Sequence, residues 1–279
     1  MKKIGFIDYY LDEWHANNYP EYIKKQSNGR YEVCCAYGKI DSPIGGMTNK
    51  EWSEKYNIPI VDSIETVIEQ SDVLIVLSPD NPEMHLELTD LPLKSGKLVY
   101  IDKTFAPDKE TAIKIFENAE KYNTKCFSSS ALRFASEIQK IDTDKIYRLY
   151  SEGPGTCEMY SIHQIEPIMC LMKTRATRVM ALSDSEHPSF VIEFADGRYA
   201  QFYQRFDEEE TFRITAVDKE NRAQIYNINS DYFALFIDAM IKFFDTGIIP
   251  VPKEQTIDVI GVREKALQAF EKPYNWIDI

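Results

Sequence analysis

The run Asp72-Val73-Leu74-Ile75-Val76-Leu77 constrains the fold more than any other stretch of the chain. Unbroken apolar residues of strand length have no polar face to turn to water. Such a segment is read as a strand buried on both sides, as in a parallel sheet with helices above and below. The surrounding sequence keeps that rhythm. Lys3 to Asp8, Tyr31 to Tyr37 (ending at Gly38), Leu98 to Ile101 and Lys125 to Ser128 read as further strands. Between them lie helical patterns over Asn17 to Gln26, Thr48 to Tyr56, a segment opened by Ser63, and Lys109 to Tyr122. Thr48 with Glu51 three residues on has the spacing of a capping box, and Ser63 repeats the N-cap device ahead of an apolar face. Strand–helix alternation predicts right-handed crossovers and a doubly wound parallel sheet.

Past residue 130 the rhythm changes. A helix near Leu132 to Lys140 precedes a strand at Lys145 to Ser151, a Gly153-Pro154-Gly155 turn and a helix around Tyr160 to Lys173. Strands then follow without helices between them, at Thr177 to Leu182, Ser189 to Phe194, Tyr199 to Phe206, Thr211 to Val217 and Arg222 to Asn227. Asp196-Gly197 is a hairpin turn signal. Helices at Asp231 to Phe244 and Ile257 to Phe270 close the chain, separated by Pro250-Val251-Pro252. The expected fold is α/β in two domains. Residues 1–130 form a nucleotide-binding-type parallel sheet, and residues 131–279 an α+β domain with an open, largely antiparallel sheet. The free face of that sheet, on strands carrying Phe190, Ile192, Phe194, Tyr199, Gln201 and Tyr203, is expected to be buried in a homo-oligomer, a homodimer in the simplest case.

Composition narrows the function classes. A net charge of −13 opposes phosphate-rich partners, so neither nucleic acid nor an anionic membrane surface is expected. No stretch approaches the ~18 apolar residues of a membrane span, and Met1-Lys2-Lys3-Ile4-Gly5 runs straight into a strand, leaving no room for a signal peptide. A cytoplasmic location follows as the expectation. The five cysteines, Cys34, Cys35, Cys126, Cys157 and Cys170, have no metal-ligand spacing, so no metal is predicted. Cys34 and Cys35, adjacent on a strand, are expected to point to opposite faces.

Several strings, in chain order, resemble the glucose–fructose oxidoreductase / inositol dehydrogenase (Gfo/Idh/MocA) family. Asp72 to Pro79 followed by His85 resembles the family's strand and Pro…His loop. Ile101-Asp102-Lys103-Thr104-Phe105-Ala106 resembles its E-K-P-x-A motif, and Ser130-Ala131-Leu132-Arg133-Phe134 the segment that opens its second domain. Ser161-Ile162-His163-Gln164-Ile165-Glu166 is similar to the catalytic-histidine helix G-x-H-x-x-D, and the closing helix–Gly247–Pro250–helix arrangement also fits. The resemblance implies a Rossmann-like first domain, NAD or NADP as cofactor, and a sugar, polyol or related hydroxy compound as substrate. Hydride removal from an alcohol needs a base for the hydroxyl proton and a cation to lower that proton's pKa. By resemblance His163 is the acid/base and Lys103 the orienting cation, supported by Tyr160 and by Glu166 three residues beyond the histidine. Ile7, Asp8, Tyr9, Ser78, Pro79, His85 and Asp102 fall at the cofactor's place, and Arg133 at substrate or cofactor. The plainer alternatives are a turn lysine, a buried hydrogen-bonded histidine and an interface arginine.

Three departures from the family pattern stand out. The first βα turn lacks G-x-G-x-x-G; after Gly5 no glycine appears until Gly29, and Asp8, Asp12 and Glu13 occupy the place of an anion site. The second strand ends in Tyr37-Gly38-Lys39 with no acidic ribose ligand; Lys39 suits either a 2′-phosphate or an ordinary exposed turn. Met159 stands where the family has an acid four residues before its histidine. These departures keep a second reading open, a non-catalytic ligand-binding or sensor protein that has lost dinucleotide binding.

Overall fold

The computed structural model describes residues 1–182, 188–205 and 211–279. The chain divides into two compact units, one of Met1–Ser129 with Ile237–Lys253 and one of Ser130–Phe236 with Glu254–Ile279.

The first unit is built on a five-stranded sheet in the order β2-β1-β3-β4-β5, parallel throughout. Its strands are β1 (Lys2–Asp8), β2 (Tyr31–Gly38), β3 (Val73–Val76), β4 (Val99–Ile101) and β5 (Cys126–Phe127). All four residues of β3 are buried, as the unbroken apolar run requires. Helices α1 (Trp14–Gln26), α2 (Asn49–Tyr56) and α3 (Ile64–Gln70) follow. Thr48 caps α2 in a complete capping box with Glu51, and Ser63 caps α3 through the Thr66 N–H. Two short helices, α4 (His85–Leu88) and α5 (Asp90–Lys94), lie in a stretch that the sequence pattern left without structure; each is barely a turn and shows no periodicity. The strong amphipathic pattern becomes α6 (Lys109–Lys121), capped by Asp108. Segment 237–253 returns to this unit through aromatic contacts: the Phe243 ring lies 4.9 Å from Phe127 and Phe244 lies 6.1 Å from Tyr31. Arg30 adds an ion pair to Asp245 at 2.9 Å.

The adjacent cysteines do not diverge as simple strand alternation predicts. Ile4 pairs with Val33 but Gly5 pairs with Cys35, so Cys34 is the extra residue of a bulge. The bulge turns the two thiols to within 3.6 Å of each other.

The second unit holds a seven-stranded sheet in the order β11-β10-β6-β9-β8-β7-β12. The strands are β6 (Arg148–Pro154), β7 (Ala176–Ala181), β8 (Ser189–Phe194), β9 (Tyr199–Arg205), β10 (Arg213–Val217), β11 (Ala223–Asn227) and β12 (Ile277–Asp278). The β8–β9 hairpin turns at Asp196-Gly197, where Gly197 takes φ +82°. The succession of hairpins is interrupted once: β6 lies between β9 and β10 and runs parallel to β9. Hairpin signals are local, and nothing near β9 or β10 announces a strand arriving from fifty residues upstream. Gly153 and Pro154 belong to β6 rather than to a turn, and only Gly155, at φ +81°, makes the bend. Phe206, expected to end β9, lies outside the described residues. Phe190, Ile192, Ala200 and Phe202 line the buried face, whereas Tyr150, Tyr199 and Tyr203 stand half-exposed on the other.

The helix expected over Leu132 to Lys140 is broken into a 3-10 turn, Ala131–Phe134, and α7 (Ser136–Gln139), because Ala135 takes an extended ψ of 133°. Helix α8 (Cys157–Met172) follows β6 and is buried along most of its length; α9 (Tyr232–Thr246) and α10 (Lys253–Glu271) end the helical complement. No described helix is long and apolar enough to cross a membrane.

Candidate functional site

In an open parallel sheet of this order the strands flanking β1 run on to opposite sides, and ligands bind in the crevice at the carboxyl ends of the strands there. That edge gathers Ile7, Asp8, Tyr9, Ser78, Pro79 and Asp102. Ile7 pairs with Val76, the Leu77 N–H donates to the Ile7 carbonyl at 2.8 Å, and the Asp102 N–H donates to the Val76 carbonyl at 2.8 Å. Ser78 holds a φ of 88° and donates its hydroxyl to the Asn81 carbonyl at 3.0 Å. His85, reached through the loop that follows, has a different part. It is fully buried, with Nδ1 against the Thr104 and Phe105 carbonyls (3.0 and 3.1 Å) and Nε2 against the Leu77 carbonyl. It ties the segment after β4 to the end of β3, and burial holds its pKa below the ordinary value. Lys103, half-buried, follows Asp102 directly. Lys39 is paired with Glu87 at 2.6 Å, so its charge is already partnered at the end of β2.

The first βα turn is organised by carboxylates. Asp12 accepts from the Met47 N–H at 2.7 Å and from Asn17 Nδ2 at 3.1 Å. Glu13 is the N-cap of α1; its carboxylate accepts from the His15 N–H at 2.7 Å and from the Ala16 N–H. His15 Nδ1 lies 2.8 Å from Asp102 Oδ2 and 3.4 Å from Glu13 Oε2. Tyr100 donates to Asp102 Oδ1 at 2.7 Å, and the Tyr19 hydroxyl lies 3.5 Å from the same oxygen. Burial alone lowers the pKa of His15, but the charge of the Asp102 carboxylate, with Asp102 and Glu13 as acceptors for the ring N–H, outweighs it and carries the imidazole up to about 9. Burial likewise raises Asp102, yet His15, with help from Lys103 and Tyr100, brings its carboxyl down to about 2. Asp8 has no such cation. Burial first, then the Glu13 charge, push its carboxyl well above the usual range, and its buried Oδ2 has no hydrogen-bond partner among the described residues. Glu13 stood out in the sequence only as one of three acids in the turn, and His15, Tyr19 and Tyr100 were not singled out. The available signal was a charged run, Asp12-Glu13-Trp14-His15, directly ahead of a helix that follows a buried strand.

A dinucleotide in this fold lays its pyrophosphate on the N-terminal N–H groups of the first helix. Here the chain's own Glu13 carboxylate takes the His15 and Ala16 N–H groups, and Asp8 adds a buried carboxyl beside it. The arrangement does not fit a pyrophosphate at α1. Gly5, the one glycine of the turn, serves packing instead: a Cβ there would overlap Val67 Cγ1 and come within 2.9 Å of Ser71 Oγ.

In the second unit α8 presents Tyr160, His163 and Glu166. The Ser130 hydroxyl lies 2.8 Å from His163 Nδ1, and the Tyr160 ring stands 5.6 Å from the imidazole. Glu166, whose spacing suggests a partner for the histidine, is engaged by an arginine. Its carboxylate is buried against Arg133 at 3.0 Å, and Arg133 also donates to Gln255 Oε1. A buried guanidinium, always charged and forked, holds a carboxylate strongly, since each charge otherwise stays uncompensated. Arg133 therefore acts as partner of Glu166 within this unit. Met159, in the place of an expected acid, is largely exposed. Among the described residues no group of His, Cys, Asp and Glu is placed to hold a metal ion.

No protein-family model and no curated protein matches the chain by sequence. Solved structures match it by fold. GenD2 from gentamicin A biosynthesis, in complex with NAD, superposes with a TM-score of 0.81 at 10% identity, over 100% of this chain and 97% of that one. A probable dehydrogenase from Thermotoga maritima gives 0.79 at 15% identity, over 99% and 98%. Scyllo-inositol dehydrogenase from Lactobacillus casei, with bound NAD(H) and scyllo-inositol, gives 0.79 at 13% identity, over 99% and 98%. At such identities the likeness establishes the fold: a parallel α/β sheet joined to a mixed, mostly antiparallel sheet.

Proposed function

We propose that this chain is an oxidoreductase acting on a sugar, polyol or related hydroxy compound, with a nicotinamide dinucleotide as oxidant. The observation that carries the reading is His163 anchored at Nδ1 by Ser130 on a buried helix. With Ser130 holding the ring at Nδ1, the family resemblance supports a role for this imidazole in proton exchange with a substrate hydroxyl. Lys103 supplies the positive charge that lowers the hydroxyl's pKa, and Tyr160 beside the imidazole adds a hydroxyl donor. The fold shared with GenD2 and scyllo-inositol dehydrogenase supports the same class. No place for the cofactor's pyrophosphate at α1 forms part of this reading.

The Glu13 cap favours a second reading, a ligand-binding or sensor protein without dinucleotide chemistry. Titration with NADH and NADPH, followed by energy transfer from tryptophan to the reduced nicotinamide, separates the two. Trp14 opens α1 and is 47% exposed, next to the crevice edge. Saturable transfer lost in Trp14→Phe, together with oxidation of a polyol that is abolished in His163→Ala, is expected. Flat titrations with both nucleotides would refute the oxidoreductase reading in favour of the second.

A further inference from the structure

The first N–H groups of a helix need an acceptor, and Ser, Thr or Asn at the N-cap would satisfy them without charge. This chain uses Glu13, buried, with both carboxylate oxygens engaged by the His15 and Ala16 N–H groups. A full negative charge thus sits at the positive end of α1, where the fold otherwise places phosphate. A second feature points the same way. Asp8, 1% exposed, ends β1 with Oδ2 lacking a hydrogen-bond partner among the described residues. A buried carboxyl with an unsatisfied oxygen there is open to a polar group of a ligand, such as a hydroxyl, and brings no cation to hold a diphosphate. His15 does not offset this, because its charge is spent on Asp102 at 2.8 Å.

We propose that Glu13 is a specificity-determining residue: its carboxylate is a built-in substitute for a ligand's pyrophosphate, and this edge of the sheet selects ligands that bring no diphosphate to α1. The proposal borrows from the functional reading only its choice of nicotinamide probes. Any nucleotide bound by the wild-type chain is then gripped by its nicotinamide end.

The test compares full-length wild type, Glu13→Ser and Glu13→Gln by calorimetric titration with NADH and with reduced nicotinamide mononucleotide, which has no diphosphate. Serine keeps an N-cap while removing charge and bulk, and glutamine removes the charge alone, so α1 is preserved in at least one variant; melting curves verify it. Wild type is expected to bind NADH no more tightly than the mononucleotide. Glu13→Ser should tighten NADH by about tenfold and leave the mononucleotide unchanged, with Glu13→Gln between. Absence of an NADH-selective gain in both variants overturns the proposal, whatever wild type binds. The functional reading fails separately. An NADH-selective gain in Glu13→Ser, with no oxidation of any hydroxy compound by wild type, leaves the role of Glu13 standing and removes the oxidoreductase.

Discussion

Replacing Asp102 by asparagine should destabilise the first unit by an amount that depends on pH in a specified way. Asp102 is fully buried and holds His15 Nδ1 at 2.8 Å and the Tyr100 hydroxyl at 2.7 Å. Asparagine keeps the volume and can still accept from Tyr100, so the change removes mainly charge. The pKa of His15, about 9 against an ordinary 6.5, measures the coupling; at 1.36 kcal/mol per pH unit it comes to about 3 kcal/mol. That agrees with the ~3–5 kcal/mol lost when one partner of a buried ion pair is removed. The folded-state pKa of His15 is raised, so its contribution is complete below 6.5 and is lost as the pH climbs through about 9. The Asp102 carboxyl is displaced downward from 3.8 to about 2, so its contribution is complete above 3.8 and is lost as the pH falls through about 2. The Asp102→Asn penalty should therefore be greatest between about pH 4 and 6.5 and should shrink towards zero by about pH 10. Urea unfolding followed by tryptophan fluorescence in a Trp276→Phe background reads this unit, since the remaining tryptophans, Trp14 and the buried Trp52, both lie in it. In parallel, imidazole NMR, assigned with His15→Gln, should place the His15 titration near 9 in wild type and below 6.5 in Asp102→Asn. An equal penalty at pH 6 and pH 10, or a His15 that titrates at its ordinary value in wild type, would refute the ionic account and reduce Asp102 to a hydrogen-bond acceptor.

Gly5→Ala should cost about 1–3 kcal/mol in urea unfolding, because the added Cβ meets Val67 and Ser71 across β1 and α3; a neutral effect would show that α3 yields freely. Glu166→Ala should cost about 3–5 kcal/mol by leaving Arg133 buried and unpaired, whereas the double variant with Arg133→Met should recover part of that; strict additivity would deny the pair. Ser130→Ala should shift the His163 ring nitrogen resonances at a fixed pH, while Glu166→Gln should leave them in place; the reverse order would restore Glu166 as the orienting group.

The elements that carried their own local chemistry were legible in the sequence. Val73–Val76 is a buried parallel strand because four consecutive apolar residues admit no solvated face, and Thr48 with Glu51 caps α2 because the two side chains satisfy each other's backbone N–H. What stayed hidden depended on partners distant along the chain. The position of β6 between β9 and β10, the bulge that brings Cys34 to Cys35, and the return of 237–253 to the first unit are all settled by packing between remote segments. The choice of Arg133 over His163 by Glu166 is of the same kind: spacing on α8 puts the carboxylate on the histidine's face, but a guanidinium from the 3-10 turn arrives there and wins.

The missing glycines of the first turn could be recognised in the sequence as a loss, yet the structure makes them part of a replacement. A Rossmann-type helix needs an anion at its N-terminus or a cap in its stead. Once Glu13 supplies the cap from within, a flexible glycine loop has nothing left to approach, and bulky residues such as Tyr9, Tyr10 and Leu11 become permissible there. The internal carboxylate in turn needs compensation, because Asp8, Glu13 and Asp102 would otherwise be three buried acids within one edge. His15 held as a cation against Asp102 supplies that compensation, and burial beside Glu13 pushes the Asp8 carboxyl towards its neutral form. Glu13, His15, Asp102 and Asp8 are thus linked: restoring a phosphate site would require removing the Glu13 charge first. Substitutions to glycine that leave Glu13 in place should gain no nucleotide affinity.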